Sequence, residues 1–163
     1  MTYVVITAVV LLFLNIYCSK VSQNMVHRNK EISMIEKCQL ASDEISSLEV
    51  INGATVSGIL SEIDSLKATR LVVTDTKGLA LYDSLGTAVN TYVLFPEILQ
   101  SMDGMGYDVF TSEYNDGTFE SRAATPIVSY GTIIGSVYIM EFDAVQGALI
   151  QSLQYTVLQV TLI

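Results

Sequence analysis

RLVVTDTKGLALYDS, residues 70–84, is the stretch on which the fold turns. Its first six residues form a β-branched run, Thr76-Lys77-Gly78 reads as a turn in which Gly78 can take a positive φ, and Leu79–Ser84 returns. Two such runs around a glycine turn make a β-hairpin. Downstream the signal recurs: Tyr107–Glu113, the turn Asn115-Asp116-Gly117, TFESRAATPIVS (118–129), the turn Tyr130-Gly131, and TIIGSVYIMEF (132–142). Between these and the first hairpin, Leu85–Leu94 lacks periodicity. A short helix follows, opened by Pro96, whose ring suits a first helical turn, and closed by Gly104. The count is five antiparallel strands, with their order left open.

Upstream, no proline or glycine occurs from Lys20 to Val50. Val21, Met25, Ile32 and Ile35 follow the 4-3 spacing of a coiled-coil seam, interrupted by Arg28, before the seam drifts to Ile45 and Leu48. This predicts a long helix that pairs with its copy or, in its second half, packs on its own sheet. Asn52-Gly53 breaks it. A second helix is expected over about 55–66, with Val56, Ile59, Leu60, Ile63 and Leu66 on one face and Glu62 and Asp64 opposite. The expected fold class is α+β, a long N-terminal helix packed on a five-stranded antiparallel sheet.

Residues 1–19 and 144–163 hold no charged side chain, so all eight basic and seventeen acidic residues lie between 20 and 143. MTYVVITAVVLLFLNIYCS (1–19) would span about 28 Å as a helix, near the roughly 30 Å thickness of bilayer hydrocarbon. An N-terminal transmembrane helix is expected there, since no basic n-region and no small-x-small site mark a cleaved signal peptide. The expected organisation is therefore a membrane helix (1–19), a domain (20–143), and a juxtamembrane helix leading into a second, truncated membrane helix (144–163). The apolar run from Tyr155 covers only about 13 Å of helix before it stops at Ile163 in mid-pattern. The alternative for that end is an amphipathic helix packing on its own domain. Lys20, Arg28, Lys30 and Lys37 taken alone would hold the domain in the cytoplasm. Glu31 and Glu36 nearby and the length of the domain offset that bias, and the expected location is the cell membrane with the domain outside the cytoplasm.

The net charge of −9 disfavours a phosphate backbone as partner. Cys18 and Cys38, on one helix, would stand about 30 Å apart and cannot bridge within the chain. Separate thiols, or pairing between two copies, stay open. His27 stands alone, so no triad can form with the serines of the sheet. Neither cysteine has a partner at metal-ligand spacing. No metal, no cofactor and no enzyme activity within this chain are expected.

Three segments, LVVTDTKGLALYDS (71–84), PEILQSMDGMGYDVF (96–110) and AATPIVSYGTIIGSVYIMEF (123–142), resemble in order and spacing the extracytoplasmic PAS-like sensor domains of the single-Cache type found in bacterial sensor histidine kinases. In that family a strand ending in D-x-x-G-x-x-L-Y-D-S is followed by a helix and a G-x-D-V-F strand, which here reads Gly106-Tyr107-Asp108-Val109-Phe110. A strand with A-x-P-I, here Ala124-Thr125-Pro126-Ile127, precedes the closing strand. The likeness covers about residues 20–150. It implies a PAS-like sheet against a long N-terminal helix, with a ligand cavity between sheet and covering loops.

A sensing pocket needs an apolar concavity with a few convergent polar groups. Tyr92, Phe95, Tyr107, Phe110 and Tyr114 are the candidate lining, together with Arg122, the only basic residue after Lys77. Arg122 either clamps a small carboxylate or pairs with Glu120 or Glu113. Glu113, Asp116 and Glu120 form either an oxygen cage for a cation or a solvated acidic turn.

The resulting expectation is the input domain of a membrane-bound bacterial receptor, a homodimer through the N-terminal helix with an unidentified small-molecule ligand. Its output would be a two-component histidine kinase, or else a chemoreceptor or cyclic-dinucleotide enzyme. A membrane-tethered module regulating another envelope protein is the alternative of a different class.

Overall fold

The computed structural model describes residues 2–48, 50–63, 66, 68–115, 118–144, 148 and 152. Among the described residues eight elements follow in order: α1 (Thr2–Ser46), α2 (Gly53–Glu62), β1 (Arg70–Asp75), β2 (Ala80–Asp83), α3 (Pro96–Ser101), β3 (Val109–Asn115), β4 (Thr118–Ser129) and β5 (Thr132–Asp143). The fold is α+β, with one five-stranded antiparallel sheet in the order β2-β1-β5-β4-β3. Hairpins join β1 to β2, β3 to β4 and β4 to β5. The pairing that closes the sheet, β1 with β5, joins its first and last strands and runs from Arg70 opposite Met140 to Asp75 opposite Gly135.

α1 is a single helix of 45 residues. Nothing in residues 1–52 removes a backbone donor or favours a left-handed turn, since proline and glycine are both absent there. Its two halves differ in environment. Tyr3 to Leu14, Ile16 and Tyr17 are exposed, whereas Met34, Cys38, Ala41 and Ile45 are fully buried. Their spacing of 4, 3 and 4 residues is one helical face, and that face meets Ala123, Ile127, Val137 and Ile139 of the sheet. The second half of α1 therefore packs on its own sheet through a stripe offset from the seam expected from the sequence. Val21, Met25 and Ile32 stay exposed and Ile35 is half-buried. The expected membrane span over residues 1–19 is not recovered in that form: among the described residues no helix is long and apolar enough to cross a membrane. The expected second span lies almost wholly outside the described residues.

Asn52 restarts the chain as the N-cap of α2. Its side-chain oxygen accepts from the N–H of Ala54 and Thr55, and Thr55 Oγ1 accepts in return from the Asn52 N–H at 3.0 Å. α2 buries Val56 and Leu60 beside the Leu71 and Val73 side of β1.

Successive strand residues face opposite sides of the sheet, and the two sides have separate cores. On the α1–α2 side lie Leu71, Val73, Ala123, Ile127, Val137 and Ile139. On the other side Val72, Ala80, Ala124 and Tyr138 pack under Val93 and Ile98 of the segment from β2 through α3. Gly135 is required at the sheet centre, because a Cβ there would lie 2.1 Å from the Thr74 carbonyl oxygen. Gly78 takes φ +82° in the first hairpin, as its turn demands.

Candidate functional site

The side of the sheet away from α1 carries a row of directly opposed residues, Arg70 on β1, Met140 on β5, Arg122 on β4 and Thr111 on β3. Opposed residues share a face, so both guanidinium groups project toward the cover formed by residues 84–108. Two strand spacings separate their backbones, about 10 Å.

Arg70 is fixed by Asp83. Nε donates to Oδ1 at 3.1 Å and NH2 to Oδ2 at 2.9 Å, a bidentate pair whose carboxylate is fully buried. The same carboxylate accepts from the N–H groups of Leu85, Thr87 and Ala88 and from the Thr87 hydroxyl. Burial would push the Asp83 carboxyl up, but Arg70 and these donors hold it well below the usual carboxylate range. One side chain thus organises the start of the cover. Its signal in the sequence was the run Asp83-Ser84-Leu85-Gly86-Thr87, an Asx-type turn at a strand end.

Arg122 sits among three carboxylates. Nε donates to Glu120 Oε1 at 2.8 Å, NH2 lies 3.9 Å from Glu113 Oε2, and NH1 lies 3.8 Å from Glu97 Oε1. Glu97, in the first turn of α3, is 3% exposed. Its Oε1 accepts from the Thr111 hydroxyl at 2.5 Å, while Oε2 has no partner among the described residues. Tyr138 is buried beside this group. Burial, with Glu97 next in weight, pushes its hydroxyl pKa up. An incoming carboxylate would have to displace Glu120 and face Glu97 and Glu113. Of the two roles left open for Arg122, the geometry is that of the ion pair. Glu113 and Glu120 turn toward this guanidinium, and among the described residues no group of three or more His, Cys, Asp or Glu could hold a metal ion.

The other expected lining residues do not converge. Phe95 stacks on Tyr138 with ring centroids 5.0 Å apart and lies under Arg70 at 5.8 Å, so it joins the charged row. Tyr92 bridges Leu79 at the sheet edge and is exposed, as is Tyr107. Phe110 lies on the opposite side of the sheet, packed against the α1 core and edge-on to His27 at 5.3 Å. Tyr114 pairs with Phe119 across the β3–β4 hairpin, and its side chain lies outside the described residues. Strand alternation separates Phe110 from Arg122, because Phe110 is opposite Ala123 while Arg122 is opposite Thr111. Arg70, Asp83 and Glu97 belong to this charged group and were not among the expected site residues, and of these Asp83 alone had a signal, the turn that follows it.

On the α1 side, Glu141 of β5 receives Lys30 and Lys37, each at 2.6 Å. Burial raises its carboxyl pKa, and the two ammonium groups more than offset that, so it is held low. No family model matches the chain, and no curated protein matches it either.

Proposed function

We propose that this chain is the signal-sensing input domain of a membrane-bound bacterial receptor, passing ligand or envelope state through its membrane helices, α1 the first of them, to an output region such as a histidine kinase. The observation that carries the reading is the continuity of α1. One unbroken helix leads from a segment with exposed apolar side chains, Tyr3 to Leu14, Ile16 and Tyr17, to a segment locked on the sheet by Met34, Cys38, Ala41 and Ile45. A contiguous apolar surface of that kind calls for lipid or a partner chain to cover it. A rigid helix transmits displacement of the sheet along its length, provided the domain has two conformations of unequal ligand affinity. The resemblance to single-Cache sensors supports the same reading, as does the agreement between the architecture it implies and the observed helix against five antiparallel strands. Exposed Val21, Met25 and Ile32 support pairing of α1 with a second copy.

Alkaline phosphatase and a cytoplasmic reporter, each fused at Ser129 in the β4–β5 hairpin, test this. Phosphatase activity in a carbonate-resistant membrane fraction is the expected result. Activity of the cytoplasmic fusion alone, or recovery of the chain in the soluble fraction, overturns the reading.

A further inference from the structure

A cleft of about 760 Å³ lies at the end of the domain where α1 stops, lined among others by Ser46, Ser47, Asp75, Ser129, Tyr130 and Ile134. Its volume suits a small molecule, and its polar groups share one electrostatic character. The last turn of α1 carries no basic residue, and among the described residues its carbonyls accept only from neutral donors, the Ser46 and Ser47 hydroxyls and the Leu48 N–H, so no positive charge offsets the negative end of the helix there. Asp75 is held in place by the N–H groups of Lys77 and Leu79, which donate to Oδ1 at 2.8 and 2.9 Å. That leaves Oδ2 as an acceptor. None of the described residues lining the cleft is basic.

Tyr130 adds an independent feature. It takes φ +48° and Gly131 takes φ +76°, the left-handed pair of a two-residue hairpin turn that asparagine and glycine fill at less cost. Its ring is fully exposed, so packing within the domain does not account for a tyrosine there. A strained aromatic residue at the rim of a cleft, beside a fixed carboxylate and a helix C-terminus, is a set of groups that recognises an organic cation. A metal ion fits poorly, since the lining offers a single carboxylate where calcium and magnesium take six or more oxygens, and its described residues include no His or Cys for zinc.

We propose that this cleft binds a small organic cation, a primary or quaternary ammonium, with Asp75 as counter-charge and the Tyr130 ring against the cationic head. The site lies apart from Arg122 and does not depend on the membrane reading. It joins the end of α1 to the first and last hairpins, so an occupant bears on the element through which the domain would signal.

The full chain, purified in detergent, is titrated with choline, with ethanolamine and with 3,3-dimethylbutan-1-ol, the neutral isostere of choline, and followed by ligand-observed NMR and thermal melting. One or both amines are expected to bind and raise the melting temperature, and the alcohol to do neither. Asp75→Asn keeps the Oδ1 acceptor and removes the charge, so it is expected to weaken binding about tenfold with little change in the unliganded melting temperature. Tyr130→Gly relieves the positive φ, so the protein still folds, and choline binding is expected to weaken about two- to fivefold. Absence of binding by both amines, equal binding of the alcohol, or unchanged binding in Asp75→Asn overturns the proposal.

Discussion

Nζ of Lys30 on α1 lies 2.6 Å from Oε2 of Glu141 on β5, and Nζ of Lys37, two helical turns on, lies 2.6 Å from the other oxygen of the same carboxylate. One side chain near the end of the last strand therefore fastens the helix at two points, 111 and 104 residues away in the chain. Hydrophobic packing by Met34, Cys38, Ala41 and Ile45 sets how closely α1 approaches the sheet. The two ion pairs add a polar anchor at two positions along the helix.

Glu141→Gln is expected to lower stability by about 1–3 kcal/mol, because two partly buried ammonium groups lose the carboxylate that holds each at 2.6 Å, Lys30 keeping Asp143 at 3.5 Å. Glu141 is held below its ordinary value in the folded state. Its contribution is therefore complete above the unfolded carboxylate range and is lost as pH falls through the lowered folded value. Urea denaturation of parent and variant at neutral and at acidic pH should show the difference closing on acidification. A constant difference would assign the loss to packing.

Asp83→Ala removes the fully buried partner of Arg70 and the acceptor for three backbone N–H groups. A loss of about 3–5 kcal/mol is expected, together with faster amide exchange from Leu85 to Ala88. Asp83→Asn should restore part of the exchange protection and little of the stability. Unchanged exchange in the alanine variant would mean that the cover is held by Val93 and Ile98 alone.

Gly135→Ala places a methyl group 2.1 Å from a backbone carbonyl oxygen of the neighbouring strand, where no side chain can yield. The expected loss is about 3 kcal/mol or more, at or beyond the upper end for overpacking, measured as a fall in the denaturation midpoint or failure to fold. Near-parental stability would place β1 and β5 in a different register.

Arg122→Ala leaves buried Glu97 without its nearby cation. The unliganded protein should melt lower, by about 1–2 kcal/mol in stability. Combining it with Glu97→Gln should recover part of that loss, because the carboxylate that needed the guanidinium is gone. An unchanged melting temperature, with loss of stabilisation by an added carboxylate, would instead restore the anion-clamp role.

Single cysteines placed one at a time along residues 21–32, in a Cys18→Ala background, should crosslink two copies at Val21, Met25 and Ile32 and weakly between them, a period near 3.5 residues, if exposed α1 is a dimer seam. Cys38 can stay in place. Its side chain is fully buried, and burial, with Asp108 adding to it, pushes its thiol pKa up and leaves it unreactive in the folded state. Crosslinking without periodicity would reject the seam.

Local order in the chain was enough to determine the elements. β-branched runs punctuated by Thr76-Lys77-Gly78 and Tyr130-Gly131 specify strands and their turns, Pro96 opens α3, and the absence of glycine and proline before Gly53 specifies α1. Each of these signals acts through φ, ψ and hydrogen bonding within a few residues, which is why it can be read without the fold. Strand order, the offset of the buried stripe on α1, and the division of the candidate aromatic residues between two sides of the sheet belong to the tertiary structure alone. They depend on which strand pairs with which across up to 70 residues of chain, as Arg70 with Met140, and a shift of one residue would move Arg122 to the side of Phe110. The same holds for the ion pairs between distant residues. Glu113 and Glu120 share a hairpin with Arg122 and could be named as its partners from the sequence, but a carboxylate carries no mark of a distant partner: only the packing of α3 on the sheet set Glu97 beside Arg122, and only the docking of α1 brought Lys30 and Lys37 to Glu141.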